Sequence, residues 1–278
     1  FLQATKTVTK EMLTIEDAPI IFYVVEEAVK AGIEDIVLIQ GRNKTAIEDF
    51  FDTSYELEDK LQKDGKLNLL ERIIHIREMA NIISVRQKQP LGLGHAVLCG
   101  EKVIGNSPFA VLLGDEIIVP RNGELCGIAQ LSRIYDETNA STVAVMEVAD
   151  EEVSKYGIAD VEKAQGEYFK VRGFVEKPSL EKAPSRLALP GRYVFSPDIF
   201  SYLKKAKPGV LGEIQLTDSM NELAKDKEVY ASRLASKRFD AGDKLGYLKA
   251  NVELGLHHPE LKEDLKKYLL QTCAKLKE

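Results

Sequence analysis

Two carboxylates that each follow a strand-like segment are the first side chains in this sequence that could do chemistry. Asp115 follows the apolar run "AVLLG", and Asp240 lies in "RFDAGDKLGY". In wound α/β sheets, ligands bind outside the carboxyl ends of the strands. Mg²⁺ takes one or two protein carboxylates and completes its shell with water and phosphate oxygens, so a pair from two strand ends suits it. Each residue also has an ordinary alternative: Asp115 as a turn residue, and Asp240 as a helix cap in competition with Asp243.

The segment "GFVEKPS" places a second pair of charged residues at a strand end. Glu176 and Lys177 precede Pro178, which ends the strand. A lysine can hold a phosphate as a point charge, and a glutamate can accept hydrogen bonds from sugar hydroxyls. The alternative is an exposed ion pair at a turn, which contributes little.

The segment "GLGHA" offers two glycines ahead of a predicted helix, so backbone can approach a ligand closely there. It is not a dinucleotide-binding fingerprint, because Val97 occupies the third glycine position. A helix start with a tight turn explains it equally well. The neighbouring His95 is interpreted as a capping or packing residue, and none of the four histidines is assigned chemistry.

The segment "GEIQLTD", from Gly212 to Asp218, mixes two acids, an amide and a hydroxyl within seven residues. One interpretation is a helix entrance with Glu213 in its first turn, where a negative charge suits the helix dipole. The other is a ligand contact from Glu213. The sequence allows both.

The surrounding elements alternate in the manner of a wound α/β sheet. Residues 18–31 and the segments "RNKTAIEDFF" and "GHAVLCGEKVI" are predicted helices, while "IEDIVLIQG", "NIISVRQ" and "PFAVLLGD" are predicted strands. Further strands, with few helices between them, follow from "STVAVMEV" to "LPGRYVFS" and predict an antiparallel or mixed addition. Residues 243–278 are predicted to be helical, with Pro259 beginning a second helix.

Composition limits the class of protein. A chain of 278 residues with 44% hydrophobic and 29% charged residues can bury a core, and no apolar run is long enough to span a bilayer. A net charge of −6 argues against a protein that coats nucleic acid. Three widely spaced cysteines define neither a disulfide framework nor a zinc site, which favours a cytoplasmic protein.

Several distinctive strings, in this order across essentially the whole chain, resemble the bacterial UTP:glucose-1-phosphate uridylyltransferases, a family of sugar nucleotidyltransferases. They are "ATKTVTKEML", "VEEAVKAGIEDIVLIQGR", "AIEDFFD", "VRQKQPLGLGHAVL", "KYGI", "FVEKP", "APSRLALPGRYVFSPDIF", "GEIQLTD" and "FDAGDKLGY". Related transferases for thymidine or cytidine nucleotides share parts of them.

The resemblance implies a Rossmann-like nucleotidyltransferase fold of the α/β class, with a central mixed, mainly parallel sheet flanked by helices and a small antiparallel addition. It implies one domain over residues 1–278, with the tail 243–278 in subunit contacts of a homodimer or homotetramer. The implied reaction joins UTP and glucose 1-phosphate to give UDP-glucose and pyrophosphate, with Mg²⁺ as the cofactor. No nucleic-acid or membrane partner is implied.

The resemblance also assigns roles to individual residues. By motif match, Lys10 contacts the nucleotide phosphates, Asp115 and Asp240 hold Mg²⁺, and Lys177 holds the sugar phosphate. The remaining assignments are substrate contacts: Gln87 and Gly92 on uracil, Gly157 and Glu176 on glucose, and Glu213 near the sugar. Asp115, Asp240 and the two lysines are thus the expected catalytic residues.

Departures from the family pattern keep alternatives open. The family has a strand and a glycine-rich loop upstream of Phe1, so we expect about ten to fifteen further residues there, enough for a strand of usual length and the loop. Gln3, Thr9 and Thr14 stand where the family often has proline, and Arg186 interrupts the usual "SNLA" string, which could disturb the geometry on the sugar side. Transfer of another base or to another hexose phosphate, or a non-catalytic regulatory role, are the alternatives.

Overall fold

The computed structural model describes residues 3–121, 123–162, 167–209 and 212–276. Short segments of 3₁₀ helix at Ala4–Lys6 and Lys10–Met12 precede the first strands. The strands are β1 (Thr14–Ile15), β2 (Ala18–Pro19), β3 (Asp35–Gln40), β4 (Asn81–Arg86), β5 (Phe109–Leu112), β6 (Glu116–Pro120), β7 (Ser141–Glu147), β8 (Gly157–Val161), β9 (Tyr168–Glu176), β10 (Leu187–Ala188), β11 (Arg192–Phe195), β12 (Val229–Arg233) and β13 (Ser236–Asp240).

The helices cover both faces of these strands. They are α1 (Ile20–Lys30), α2 (Thr45–Phe51), α3 (Tyr55–Lys63), α4 (Leu67–Glu78), α5 (Leu93–Cys99), α6 (Glu101–Ile104), α7 (Gly127–Thr138), α8 (Ile199–Lys205), α9 (Leu216–Asp226), α10 (Lys244–Gly255) and α11 (Lys262–Lys275). Within the described ranges, no helix has the length and apolar character needed to cross a bilayer.

The main sheet has seven strands in the order β10-β8-β9-β12-β7-β11-β5. The prediction of a mainly parallel sheet is wrong for the described strands, since only β3–β4 and β7–β12 pair in parallel and the other pairs are antiparallel. The error has a physical cause. β11 is buried at all four residues, as is typical of parallel strands, yet it runs antiparallel to β5 and β7.

The largest core cluster lies between this sheet and the helices α5, α8 and α9. Its fully buried members include Val143, Phe195, Ile199 and Leu203. α9 packs closely along β9, so the segment ahead of α9 is fixed beside the end of that strand. The core therefore positions the loop "GEIQLTD" next to β9.

One ion pair lies inside the core. Arg192 is 0% exposed, and its guanidinium donates to Glu27 Oε2 through Nε and Nη2 at 3.0 and 2.8 Å. Arg192 also donates to the carbonyls of Gly191 and Glu116, and the second Glu27 oxygen accepts from the Ile128 amide at 2.9 Å. A buried pair with its remaining donors and acceptors satisfied in this way holds β11, α1 and the start of α7 together.

The first helix shows how a local signal sets a boundary. The predicted helix over residues 18–31 begins two residues later, because Ala18 and Pro19 form β2 against Thr14 and Ile15. Gly32 ends the helix with φ +84°, and its amide donates to the Val29 carbonyl. The prediction of this helix is confirmed apart from its first turn.

Candidate active site

The carboxylates of Asp115 and Asp240 both lie beside Gly242. A Cβ atom built on Gly242 would lie 3.1 Å from Asp115 Oδ2 and 3.1 Å from Asp240 Oδ1. β13 pairs antiparallel with β6, which puts Asp240 opposite Glu116, the residue after Asp115. The Ala241 amide also donates to the Asp115 carbonyl at 2.9 Å. Backbone pairing therefore brings the two carboxylates together.

The helix that follows β13, α10, is capped by Asp243 and not by Asp240. Asp243 is the N-cap of α10, and its carboxylate accepts from the Gly246 amide at 2.9 Å. This hydrogen bond lowers the pKa of Asp243. Asp240 instead accepts from the Gly242 amide at 2.9 Å. Gly246 packs against the backbone of Asp240, because a Cβ built on it would lie 2.1 Å from the Asp240 carbonyl oxygen.

Lys10 is the cation beside this carboxylate pair. Its Nζ lies 2.5 Å from Asp115 Oδ2, and the Lys10 side chain is 44% exposed. Partial burial opposes the charged form, but the hydrogen bond to Asp115 and the charges of Asp115, Glu11 and Asp240 raise the pKa of Lys10. Lys10 therefore stays protonated at neutral pH beside the two acids.

Arg238 is a residue that the sequence analysis missed. It donates to both Glu116 carboxylate oxygens at 2.5 Å, to the Tyr156 hydroxyl at 2.8 Å, and lies 3.3 Å from Asp240 Oδ2. Its guanidinium also packs over the Tyr156 ring. The period of two along β13 could have revealed it, since residues 238 and 240 of one strand share a face.

Burial and the mutual hydrogen bonds act in opposite directions on the Glu116–Arg238 pair. Burial raises the pKa of Glu116 to about 7, although the hydrogen bonds and charge of Arg238 act in the opposite direction. Burial alone would lower the pKa of Arg238, but hydrogen bonds and charge from Glu116 raise it overall. Arg238 is thus a permanent cation between Asp240 and Tyr156.

The predicted sugar residues Gly157 and Glu176 lie opposite each other in the β8–β9 pair. Glu176 Oε2 accepts from the Thr217 hydroxyl at 2.7 Å. A Cβ on Gly157 would meet Thr217 Cγ2 at 2.8 Å and Glu176 Oε2 at 3.1 Å, so only glycine fits there. Thr217 was not predicted, and it is the residue that fixes one oxygen of Glu176.

Lys177 leaves the strand in the left-handed conformation, with φ 42°. Its amide donates to the Tyr156 carbonyl at 3.1 Å, and its Nζ lies 4.0 Å from Glu176 Oε1. The side chain is 62% exposed. A non-glycine residue with positive φ is costly and is typical of functional turns. The turn moves the Lys177 side chain off the alternating pattern of β9.

The predicted uracil residues are joined by a hydrogen bond. Gln87 follows β4, and its Nε2 donates to the Gly92 carbonyl at 3.1 Å. Gly92 has φ 93°, and a Cβ on it would meet the Ile214 carbonyl oxygen at 2.8 Å and Glu213 Cβ at 3.0 Å. Glycine is therefore required at position 92 by both its dihedral angle and its contact with the "GEIQLTD" segment.

The "GEIQLTD" segment connects the base side and the sugar side. The Ile214 amide donates to the Leu91 carbonyl at 2.7 Å, and the Gly94 amide donates to the Ile214 carbonyl at 2.9 Å. Further along, Thr217 contacts Glu176. The interpretation that places Glu213 in the first turn of a helix is wrong, because α9 begins at Leu216 with Gln215 as its N-cap. Glu213 instead accepts from Gln215 Nε2 at 2.9 Å.

The predicted site residues fall into three groups. The phosphate group is Lys10, Asp115 and Asp240; the sugar group is Gly157, Glu176 and Lys177; the base group is Gln87, Gly92 and Glu213. Among the described residues, no hydrogen bond or ion pair joins members of different groups directly. Arg238 and Tyr156 connect the phosphate group to the sugar group, and Thr217 with Ile214 connects the sugar group to the base group. These connecting residues lie within the quoted motifs, but the motifs assigned them no role.

Arg186 lies outside these groups. Its guanidinium forms an ion pair with Asp150, and its carbonyl accepts from the Val148 amide at 3.1 Å. In the described structure, Arg186 makes no hydrogen bond to Gly157, Glu176 or Lys177. The expectation that Arg186 could disturb the sugar side therefore has no support from these contacts.

Comparisons with known proteins fit this arrangement. The family model described as nucleotidyl transferase matches residues 3–255, and the chain belongs to that family. It is 50% identical over 269 residues to the UTP–glucose-1-phosphate uridylyltransferase YngB of Bacillus subtilis, covering 97% of this chain and 90% of the relative. These matches confirm the resemblance inferred from the sequence. They also confirm uridylyl transfer, the activity named for the relative, as the enzyme class.

Two solved structures resemble the chain closely. A UTP-bound UDP-glucose pyrophosphorylase from Acinetobacter baumannii has a TM-score of 0.87 at 42% identity, with 96% of this chain and 93% of that chain covered. A UDP-glucose pyrophosphorylase complexed with UDP-glucose has a TM-score of 0.84 at 44% identity, with 93% and 94% covered. The nucleotidyltransferase α/β fold is thus shared.

Proposed function

We propose that this protein joins UTP and glucose 1-phosphate to give UDP-glucose and pyrophosphate. A phosphate oxygen of glucose 1-phosphate attacks the α-phosphorus of UTP, a new P–O bond forms, and the bond to the pyrophosphate leaving group breaks. The observation that supports this most is the position of Asp115 and Asp240 beside Gly242, with Lys10 paired to Asp115. Arg238 links this group to Tyr156 on the sugar side. Relatives 46–50% identical carry the same activity in their names.

The reaction needs alignment and charge neutralisation rather than a general base. The attacking phosphate is already anionic at neutral pH, so no side chain has to remove a proton. Holding the two reactants in line removes much of the entropic barrier. Lys10, kept protonated beside Asp115, neutralises charge on the phosphates of UTP, and Lys177 binds the phosphate of the sugar.

The residues of the base group and the sugar group determine which substrates bind. In our proposal Gln87 and Gly92 contact uracil, because the positive φ of Gly92 exposes backbone next to the Gln87 amide. Glu176 accepts hydrogen bonds from glucose hydroxyls beside Gly157, with one oxygen already held by Thr217. Glu213, fixed next to Gly92, contributes from the loop between the base and the sugar.

The two aspartates fit a Mg²⁺ ion. They supply hard oxygen ligands from two sides of Gly242, and in the described residues no group of three or more His, Cys, Asp or Glu forms a ready-made metal cage. That donor set matches an ion that keeps water and substrate phosphates in its shell. When bound, Mg²⁺ supplies charge stabilisation for the phosphates. Asp115 and Asp240 would hold it, and Arg238 fixes the orientation of Asp240.

We also propose that residues 1–278 form a single nucleotidyltransferase domain. In the described chain β3 pairs with β4 and β5 pairs with β11, and both β3 and β5 line one cavity of ≈ 720 Å³. A single cooperative unfolding transition in urea supports this; two separate transitions contradict it.

The helical tail, residues 243–278, is proposed to form subunit contacts in a homodimer or homotetramer. α10 exposes Leu245, Leu248 and Val252 at helical spacing, with Leu248 60% exposed. Light scattering tests this: Leu248→Glu should lower the molar mass of the particle, and an unchanged mass would remove α10 from the contact. We further propose a cytoplasmic location, which the free cysteines Cys99, Cys126 and Cys273 favour.

The proposed reaction is tested by measuring UDP-glucose formation by the full-length protein from UTP, glucose 1-phosphate and Mg²⁺. Matched assays replace UTP by CTP and glucose 1-phosphate by another hexose phosphate. Product that depends on UTP and is abolished by EDTA supports the proposal. Equal product from other nucleotides or hexoses favours the alternative substrate choice, and no product from a folded full-length protein favours the non-catalytic alternative. Lys177→Gln should raise the KM for glucose 1-phosphate more than the KM for UTP.

A further inference from the structure

The side-chain amide of Gln87 is held by two hydrogen-bond acceptors. Its Nε2 lies 3.1 Å from the Gly92 carbonyl oxygen and 3.0 Å from His95 Nδ1. A carbonyl oxygen can only accept, and a neutral imidazole accepts at the nitrogen that carries no proton. Both neighbours therefore select the NH₂ end of the Gln87 amide.

This orientation also determines where the oxygen of the Gln87 amide points. Once the NH₂ group faces Gly92 and His95, Gln87 Oε1 points away from both. Within the described part of the chain, Oε1 makes no hydrogen bond, and Gln87 is half-buried. The oriented amide therefore presents an acceptor, and not a donor, to whatever lies beside Gly92.

Pyrimidine bases differ at the ring position that such an acceptor would meet. The ring nitrogen N3 of uracil carries a proton and donates, whereas N3 of cytosine is an acceptor and its exocyclic N4 donates. An amide with its oxygen outward pairs with uracil N3–H and opposes cytosine N3. If the amide turned over, its NH₂ group would pair with cytosine instead. The discrimination thus depends on what prevents the amide from turning.

We propose that His95 is a specificity-positioning residue, which fixes the Gln87 amide so that its oxygen selects uracil over cytosine. This inference rests on the proposed placement of the base beside Gln87 and Gly92. His95 acts through Gln87 and does not itself touch the base. It extends the sequence interpretation, in which His95 was only a capping or packing residue.

His95 is itself held firmly enough for this task. It lies in the first turn of α5, whose start is fixed by the Gly94 amide donating to the Ile214 carbonyl at 2.9 Å. One turn later, Cys99 Sγ lies 3.9 Å from His95 Nδ1 and contributes a second, weaker donor. Two donors at Nδ1 favour the tautomer with its proton on Nε2.

The experiment compares dissociation constants for UTP and CTP, measured by calorimetric titration of the full-length protein without sugar phosphate. His95→Leu should lower the preference for UTP over CTP about tenfold, the usual effect of losing one hydrogen bond that holds a specificity group. His95→Asn should restore most of the preference, because its Oδ1 can accept in place of Nδ1. Cys273→Ala, at an exposed cysteine of α11, is the control and should leave the preference unchanged.

Several results would overturn the inference. One is equal weakening of UTP and CTP binding in His95→Leu, which is what a purely structural role predicts. Another is failure of His95→Asn to restore the preference. Nitrogen NMR of the wild-type protein at pH 8 gives a test without substitution: His95 Nδ1 should be unprotonated, and a proton on Nδ1 contradicts the proposal.

Gln87→Ala separates this inference from the proposed function. It should remove the preference for UTP while UDP-glucose formation persists at a lower rate. A lost preference in Gln87→Ala with an unchanged one in His95→Leu overturns the role of His95 alone. An unchanged preference in both variants removes Gln87 from the base site and the inference with it, whereas the reaction is judged separately by UDP-glucose formation.

Discussion

Two arginines bind different parts of Glu116 and show how burial separates a structural ion pair from one that serves a site. Arg192 donates to the Glu116 carbonyl at 2.6 Å and pairs with Glu27, and all of these groups lie in the core. Arg238 binds the Glu116 carboxylate and also reaches Asp240 and Tyr156, with 15% of its side chain exposed. The Arg192–Glu27 pair contacts only groups in the core, whereas Arg238 also contacts Asp240 and Tyr156, which lie at the proposed site.

The comparison predicts different responses to substitution. Loss of Arg192 leaves a buried charge without its partner and should act on folding. Loss of Arg238 should act on the orientation of Asp240 and on the connection to the sugar group. Four substitutions test this difference, beginning with Arg192 in the core.

Arg192→Met should cause the largest loss of stability, about 3–5 kcal/mol, because Glu27 would remain buried without its cation. The measurement is the free energy of unfolding in urea. Arg172→Met, which breaks the exposed pair with Asp160, is the control and should leave the midpoint nearly unchanged. If the two variants lose equal stability, the Arg192–Glu27 pair is not the structural element described above.

Gly246→Ala should come next, with a loss of about 1–3 kcal/mol, because the new methyl group cannot fit 2.1 Å from the Asp240 carbonyl oxygen. Displacement of Asp240 should also slow UDP-glucose formation. Gly41→Ala is the matched control, since nothing lies within 4 Å of a Cβ there. A Gly246→Ala variant as stable and active as the control would show that this contact does not position Asp240.

Arg238→Lys should change activity more than stability. Lysine keeps the charge but cannot form the forked hydrogen bonds to Glu116 and the contact with Tyr156 at once. We expect UDP-glucose formation to fall about tenfold, with a higher Mg²⁺ concentration needed for half-maximal rate. The control is Arg172→Lys, at an exposed position of β9. If Arg238→Lys only lowers the melting temperature, Arg238 belongs with Arg192 as a structural residue.

Asp243→Ala should have the smallest effect, confined to the start of α10. The hydrogen bond from the Gly246 amide lowers the folded-state pKa of Asp243, so the cap stabilises the protein above the unfolded-state pKa, about 4. That stabilisation is lost as pH falls through the lowered folded-state value. Thermal melts should therefore differ between wild type and variant at pH 7 and converge at strongly acid pH; a difference independent of pH would contradict this assignment.

The sequence predicted most elements because their signals are local. Apolar runs revealed β3, β4 and β5, and Gly32 marked the end of α1. Strand direction was not predictable in the same way, because a strand buried on both faces, such as β11, has the same pattern in either orientation. The start of α9 was predicted three residues too early, because the "GEIQLTD" segment pairs with Leu91 and Gly94 instead.

The site was predictable where a motif contained it and not where contacts cross the chain. Asp115, Asp240, Glu176 and Gln87 are each marked by their own motif. Thr217, Tyr156 and Arg238 gain their roles from partners 41, 82 and 122 residues away, as in the Thr217–Glu176, Arg238–Tyr156 and Arg238–Glu116 hydrogen bonds. The period of two along β13 places Arg238 on the same face as Asp240, but only the fold brings Thr217, Tyr156 and Arg238 to these distant partners.

The most direct test of the central claim, that Asp115 and Asp240 form the charged centre of a uridylyltransferase, is kcat/KM for UDP-glucose formation in Asp240→Asn. Asp243→Asn is the matched control, because asparagine is also a good helix cap and the residue lies three positions away. We predict a loss of about a hundredfold to a thousandfold in Asp240→Asn with unchanged melting temperature, and near wild-type activity in the control. Equal activity in the two variants would contradict the account.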